Sequence, residues 1–136
     1  MKNLILTLFA IFSLASCMSS DDDSKVTETF RNAYATELNV SPIGKVNQNI
    51  NISFKVPYHS GCEEYYHTNT EVKEGVFYIF PVVKNNGKKC DGNTIVATQN
   101  IGWTQNKKGV YIIKIPSGFD EPGEVKYLTK EIELTE

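Results

Sequence analysis

The stretch NINISFKV, residues 49–56, decides the fold class. Its residues alternate without exception, so that Ile50, Ile52, Phe54 and Val56 fall on one face while asparagine, serine and lysine fall on the other. Alternation with a period of two predicts a β-strand with one face in a core and the other in water. One face of this strand is therefore expected to be core.

Further strand-like stretches follow, each bounded by turn residues. VFYIFPVV, residues 76–83, is apolar on both faces and is followed by the hairpin signal Asn85-Asn86-Gly87. Pro81 has no N–H to donate, which predicts an edge strand or a bulge. Three more stretches have strand character, at 94–101, 110–115 and 126–134. Six or seven short strands without a long helix or an internal repeat predict an all-β sandwich.

One of these strands carries a family resemblance. Gly109-Val110-Tyr111-Ile112-Ile113 resembles the Gly-x-Tyr entry to a late strand in immunoglobulin-like and fibronectin-type domains, where the tyrosine forms a corner. The resemblance implies an immunoglobulin-like antiparallel β-sandwich of about seven strands. We expect residues 36–136 to form this domain and residues 18–35 to be an acidic tether or linker.

The first 17 residues have the pattern of an export signal. A single positive charge at Lys2 precedes an almost uninterrupted apolar run from Leu4 to Leu14, which small residues follow. About eleven apolar residues are too few for a membrane span of ~20 residues. The segment is therefore predicted to be a signal peptide.

The end of this segment, Leu14-Ala15-Ser16-Cys17, resembles the lipobox of bacterial lipoproteins. The resemblance implies that Cys17 is acylated and becomes the first residue of the mature protein, anchored to the outer membrane. Each buried CH₂ of the acyl chains contributes roughly 0.8 kcal/mol, and two or more chains anchor a protein stably. The alternative is a secretory peptide cut elsewhere, with Cys17 discarded or free.

The residues that follow Cys17 indicate which side of the outer membrane the protein faces. Ser20-Asp21-Asp22-Asp23 resembles the acidic export signal that Bacteroidota-type lipoproteins carry just after the acylated cysteine. This resemblance implies exposure at the cell surface. The alternative is that the run is a solvated tether and that the protein faces the periplasm.

The overall charge argues against nucleic acid as a partner. Without Lys2, the 14 basic residues fall to 13 against 16 acidic ones, a net charge of -3. Nucleic-acid-binding domains instead carry a basic patch. The expected partners are the membrane, through the lipid, and a glycan or a protein at the cell surface.

Two cysteines remain once Cys17 is assigned to the lipid. Cys62 and Cys90 are expected to form a disulfide, because exported proteins reach an oxidising compartment. The bond closes a loop of about 28 residues and contributes on the order of 3 kcal/mol. The alternatives are free thiols or a zinc site that adds His59 and His67 to the two cysteines. We expect the disulfide, and neither a metal nor another cofactor.

No catalytic motif is present, so the chain is not expected to be an enzyme. Glu63 and Glu64 are adjacent, and on a strand they face opposite sides instead of sharing a proton. The chain contains no glycine-rich phosphate loop and no motif for a nucleophile.

Recognition is the more natural role for a tethered sandwich. YHSGCEEYYHTN, residues 58–69, is predicted to be a loop rich in tyrosine, and loops on a rigid scaffold often bind ligands. We predict a ligand or glycan site from Tyr58, Tyr65, Tyr66 and Trp103. The alternative is that Trp103 is core and the tyrosines cover the sandwich edge. The alternative function is a structural subunit that docks through a sheet edge, such as the strand with Pro81.

Overall fold

The computed structural model describes residues 26–121 and 123–136, in which nine strands form two sheets. In chain order the strands are β1 Thr29–Asn32, β2 Glu37–Asn39, β3 Ile43–Lys45, β4 Ile50–His59, β5 Glu63–Lys73, β6 Val76–Asn85, β7 Thr94–Trp103, β8 Gly109–Asp120 and β9 Glu124–Thr135. The predicted lipidation site Cys17 and the predicted export signal at residues 20–23 lie outside the described residues.

The two sheets pack as an all-β sandwich, as predicted. The large sheet has the order β1-β6-β8-β9-β3, with β5 on the other side of β6, and the small sheet has the order β2-β4-β7. Two pairings, β3 with β9 and β6 with β8, are parallel, and the others are antiparallel. The sandwich thus departs from the expected antiparallel arrangement of about seven strands.

The core lies between the sheets and begins at β4. Its four apolar side chains at 50, 52, 54 and 56 are all buried, which confirms the prediction from the alternation. Buried residues of the large sheet complete the core, namely Ile79, Val83, Ile113, Ile115, Ile132 and Leu134. Full burial of an aliphatic or phenyl side chain contributes about 1.5–3 kcal/mol, so this layer is the main source of stability.

Residues 29–35 fill a gap in the large sheet. Strands β6 and β8 pair only over Val76–Tyr78 and Ile112–Lys114, and beyond that β1 pairs with β6. The Ala33 N–H donates to the Pro81 carbonyl, and the Ala35 N–H donates to the Pro116 carbonyl of β8, both at 2.8 Å. The segment therefore bridges two strands of one sheet.

The same segment then enters the small sheet. The Thr36 N–H donates to the Lys55 carbonyl of β4 at 3.0 Å, and β2 continues that pairing. The boundary predicted at residue 36 is therefore wrong, because β1 and the fully buried Ala33 and Ala35 belong to the domain. The sequence resembled a linker because every residue of β1 is exposed and no alternation marks it.

Pro81 does not mark an edge. Strand β6 has neighbours on both sides, and the register shift lies in the facing strand β5, between Tyr65 and His67. The N–H and C=O of a strand residue point to the same side, and the Pro81 carbonyl faces Ala33. Pro81 lacks an N–H at the point where the neighbour of β6 changes from β8 to β1. The absent N–H therefore does not interrupt the hydrogen bonds of either strand pair.

A disulfide closes one end of the sandwich. Cys62 and Cys90 are bonded, with their Cα atoms 4.6 Å apart, which confirms the predicted pair. The bond joins the β4–β5 turn to the β6–β7 loop, where the Asn86 N–H also donates to the Cys62 carbonyl at 2.8 Å. Both cysteines are thereby removed as metal ligands or nucleophiles.

Tyr111 makes the contact that its motif predicts. Its hydroxyl donates to the carbonyl of Lys107 at 2.7 Å. The tyrosine corner of immunoglobulin-like domains contains a hydrogen bond of the same kind, from a tyrosine hydroxyl to the backbone a few residues upstream. The bond ties the start of β8 to the preceding turn.

Enlarging Ala33 is expected to destabilise the domain. The Ala33→Leu variant places three extra carbons at a fully buried site and should lower the free energy of unfolding by about 1–3 kcal/mol in urea denaturation. Ala97→Leu on β7, where the alanine is only half-buried, is the matched control and should have a smaller effect. Equal effects of the two variants would contradict close packing around Ala33.

Candidate ligand-binding surface

The tyrosine-rich segment at residues 58–69 is not the predicted loop but two strands of different sheets joined by a short turn. It comprises the end of β4, a turn at residues 60–62 and the first part of β5. Sequence reasoning missed β5 because its side chains show no apolar alternation. The tyrosines consequently point to opposite faces of strands instead of clustering at a loop tip.

The structure does not bring the four predicted site residues together. Tyr58 continues the inward alternation of β4 and packs against the core. Trp103 is only 6% exposed; its ring lies 5.4 Å from that of Phe77 and 5.2 Å from that of Tyr111. Trp103 is therefore a core residue, and this burial removes it from any surface site.

The other two predicted residues lie on β5 and differ in exposure. The Tyr65 hydroxyl is hydrogen-bonded to the Thr68 hydroxyl in a partly buried position. Tyr66, at the register shift, is 52% exposed, with its ring 4.9 Å from that of Phe30 and 4.7 Å from that of His67. Of the predicted set, Tyr66 is thus the residue that presents a ring to solvent.

A different aromatic group lies on the outer face of the large sheet. Tyr78 and Phe80 alternate with the inward Phe77 and Ile79, and their rings are 6.0 Å apart and parallel to within 6°. The ring of Tyr127, on β9, lies 5.7 Å from that of Tyr78. We call Tyr78, Phe80 and Tyr127 the aromatic platform.

Polar side chains border the aromatic platform on both sides. On β5, Glu71 is opposite Tyr78 and Asn69 is opposite Phe80, so each pair shares a face. On β8, Lys114 is opposite Tyr78, and its ammonium lies 5.8 Å from the centre of the Tyr127 ring. A shallow cavity of about 160 Å³ is lined by Glu71, Lys73 and the three rings.

This surface was missed because of the pattern of its strand. VFYIFPVV is apolar on both faces, which is typical of a strand buried on both sides. In the structure only the inward set reaches the core, and Tyr78 and Phe80 remain partly exposed. The sequence feature that could have indicated this surface is the pair of aromatic residues at alternate positions, Tyr78 and Phe80, of which Tyr78 carries a hydroxyl.

A second cavity, of about 210 Å³, lies at the end of the sandwich beside Arg31, Tyr58 and His59. Its cation is already neutralised, because the Arg31 guanidinium donates two hydrogen bonds of 2.7 Å to the Glu63 carboxylate. This contact lowers the pKa of Glu63, as does the His59 N–H at 2.7 Å, and it raises the pKa of Arg31. Arg31, His59 and Glu63 thus link β1, β4 and β5, and their role is structural.

The two adjacent glutamates have different surroundings. The Glu63 side chain is 5% exposed, whereas the Glu64 side chain is 60% exposed and contacts the Lys84 ammonium at 2.9 Å. Each carboxylate pairs with a separate cation, so the two glutamates do not share a proton as an acid–base pair would. Within residues 26–121 and 123–136, no cluster of three or more His, Cys, Asp or Glu side chains is placed to hold a metal.

Comparisons with known proteins give no indication of the function. No protein-family model, no curated protein and no solved structure matches this chain. The described part of the chain contains no helix long and apolar enough to cross a membrane.

Removing the Glu63 carboxylate should weaken the domain at neutral pH. Because the folded-state pKa of Glu63 is lowered, its stabilisation is present above the ordinary carboxyl pKa of about 4.3 and is lost as the pH falls through the folded-state pKa. We expect Glu63→Gln to cost about 1 kcal/mol at pH 7, a figure reduced for solvent screening because Arg31 is 41% exposed.

The measurement is urea unfolding of both proteins at several pH values. The difference between them should shrink as the pH falls below about 4.3. Glu64→Gln, in the exposed pair with Lys84, is the matched control and should change stability little. A Glu63→Gln cost that stays constant into acid would contradict the role given to the carboxylate.

Proposed function

We propose that this protein is a lipid-anchored, non-catalytic recognition module of the bacterial outer membrane that binds glycans at the cell surface. The location is inferred from the lipobox-like Leu14-Ala15-Ser16-Cys17 and the acidic run at residues 20–23. The aromatic platform is the observation that carries the binding role.

The platform suits a sugar for a simple chemical reason. One face of a pyranose ring presents C–H groups, which pack against aromatic rings, while its hydroxyls need hydrogen-bond partners at the rim. Tyr78 and Phe80 supply parallel rings 6.0 Å apart, and Asn69, Glu71 and Lys73 supply donors and acceptors beside them. A few polar groups around an apolar centre are typical of small-molecule sites.

The shape and charge of the surface narrow the ligand further. The cavity of about 160 Å³ is smaller than the ≈ 300–1,000 Å³ of enclosed ligand pockets. The surface therefore binds one edge or face of a polysaccharide chain and does not enclose a whole molecule. The charges of Glu71, Lys73 and Lys114 include both signs, and the mature chain carries a net charge of -3. We therefore propose a neutral polysaccharide as the ligand class.

Binding is tested with the mature lipoprotein in detergent, titrated calorimetrically with a panel of neutral and acidic polysaccharides. We expect at least one neutral polysaccharide to bind, and Tyr78→Ala to weaken it by about tenfold, because one aromatic stacking contact is worth about 0.5–1.5 kcal/mol. Tyr66→Ala, an exposed tyrosine away from the platform, is the matched control and should leave the affinity unchanged.

Two results would count against this proposal. One is the absence of binding to every polysaccharide in the panel. The other is an equal loss of affinity in Tyr66→Ala and Tyr78→Ala, which would move the site away from the platform.

A second candidate function, an accessory subunit of a surface complex, is supported by a different feature. Strand β7 is an edge of the small sheet, and its ten residues TIVATQNIGW include no charged side chain. Exposed edges of this kind pair readily with other chains.

A further inference from the structure

The Glu71 carboxylate lies beside the aromatic platform without a partner of its own. Glu71 is opposite Tyr78 in the β5–β6 pairing, and both residues line the cavity of about 160 Å³. Within the described part of the chain, no hydrogen bond or ion pair involves the Glu71 side chain. The two other glutamates of β5 are each paired with a cation, Arg31 or Lys84. Glu71 is thus the glutamate of this strand that remains available to a ligand.

Two lysines lie near Glu71, and neither neutralises it. Lys73 follows two residues along β5 and lines the same cavity, yet among the described residues it forms no ion pair with Glu71. Lys114 is on the other side of Tyr78, so its backbone is two strand spacings, about 9.6 Å, from that of Glu71. The Lys114 ammonium lies 5.8 Å from the centre of the Tyr127 ring instead. Both carboxylate oxygens of Glu71 therefore remain free to accept hydrogen bonds.

A sugar ring that packs on Tyr78 has this carboxylate at one edge. Opposite residues of an antiparallel pair have Cβ atoms about 4.5–5.5 Å apart, so the Glu71 side chain starts directly beside that of Tyr78. The C–H groups of the sugar face the tyrosine ring, and its hydroxyls project around the rim. The carboxylate consequently meets hydroxyls and not the C–H face.

The chemistry of a carboxylate determines which hydroxyls suit it. An ionised carboxylate only accepts hydrogen bonds, and each of its two oxygens can take one O–H. Two hydroxyls on neighbouring ring carbons are spaced to donate to the two oxygens of one carboxylate. Hydrogen bonds of this charge-assisted kind are roughly twice as strong as those between neutral groups. An isolated hydroxyl, in contrast, leaves one of the two oxygens without a ligand donor.

We propose that Glu71 is the specificity-determining residue of the aromatic platform and selects polysaccharides whose sugar units keep free hydroxyls on two neighbouring carbons. This inference rests on the proposed glycan binding and narrows its ligand class. Packing on Tyr78 provides affinity for many sugars, whereas the paired hydrogen bonds to Glu71 distinguish one linkage from another. The same carboxylate repels the carboxylates of acidic polysaccharides, which agrees with a neutral ligand.

The linkage position decides whether a glucan meets this condition. Each unit of a (1→4)-linked glucan has free hydroxyls on the neighbouring carbons 2 and 3. Each internal unit of a (1→3)-linked glucan has them on carbons 2, 4 and 6, none of which are neighbours. The two polymers contain the same sugar and no charge. A site built to bind a hydroxyl discriminates against a ligand that lacks it, because the polar group of the site is left unpaired.

The test is calorimetric titration of the mature lipoprotein in detergent with long soluble chains of the two glucans. We expect the (1→4)-linked glucan to bind at least about tenfold more tightly than the (1→3)-linked glucan, because the latter loses one hydrogen bond to a charged group. Glu71→Gln should weaken binding of the (1→4)-linked glucan about tenfold and so remove most of the preference.

Glu133→Gln is the matched control. It makes the same change at an exposed glutamate on β9, near the opposite end of that strand from Tyr127, and should leave both affinities unchanged. Glu71 and Glu133 are both exposed, and circular dichroism checks that both variants are folded.

Failure of this inference and failure of glycan binding give different results. Equal affinities of the unmodified protein for the two glucans would overturn the role of Glu71. Equal effects of Glu71→Gln and Glu133→Gln would do the same, and a loss of affinity in Tyr78→Ala would still support the platform. The absence of binding to every polysaccharide tested would overturn glycan binding and the role of Glu71 together.

Discussion

Strands β6 and β8 pair over only three residue positions, and the rest of the sandwich depends on how the gap beyond them is filled. The segment at residues 29–35 fills it with hydrogen bonds from Ala33 to β6 and from Ala35 to β8. Both alanines are fully buried in the core between the sheets, so larger side chains would disturb the packing of one sheet on the other. The next residue, Thr36, bonds to β4, and a single run of chain thus holds three strands and both sheets together.

This arrangement also determines which surfaces are exposed. Because β1 and β8 share one side of β6 while β5 takes the other, β6 lies inside the large sheet. Its outward side chains Tyr78 and Phe80 therefore stand on a broad face instead of at an edge. The large sheet is wider than the three-stranded sheet that covers it, and the inward-facing Val72 of β5 is consequently 64% exposed.

A strand can be predicted from the sequence when its two faces differ in polarity. The alternation of β4 predicts its buried face correctly, and the cysteine pair follows once Cys17 is assigned to a lipid. Strands β1 and β5 could not be predicted in this way, because β1 is exposed throughout and no side chain of β5 is fully buried. Their positions are determined by backbone pairing with β6, which leaves no periodic signal.

The candidate site was harder to predict, because aromatic residues are common both in cores and on binding surfaces. Trp103 and Tyr78 both lie in apolar strands, and only their opposite orientations separate a core ring from a surface ring. That orientation depends on the register with neighbouring strands, which a single sequence does not specify.

The most direct measurement of the central claim is native-state amide hydrogen exchange of the mature protein by NMR. If the segment at residues 29–35 holds β6 and β8 together, the amides of Ala33 and Ala35 should be protected to the same degree as those of Ile79 and Ile113 in the core strands. Exchange at Ala33 and Ala35 as fast as at the exposed Val26, with the core strands still protected, would contradict this account.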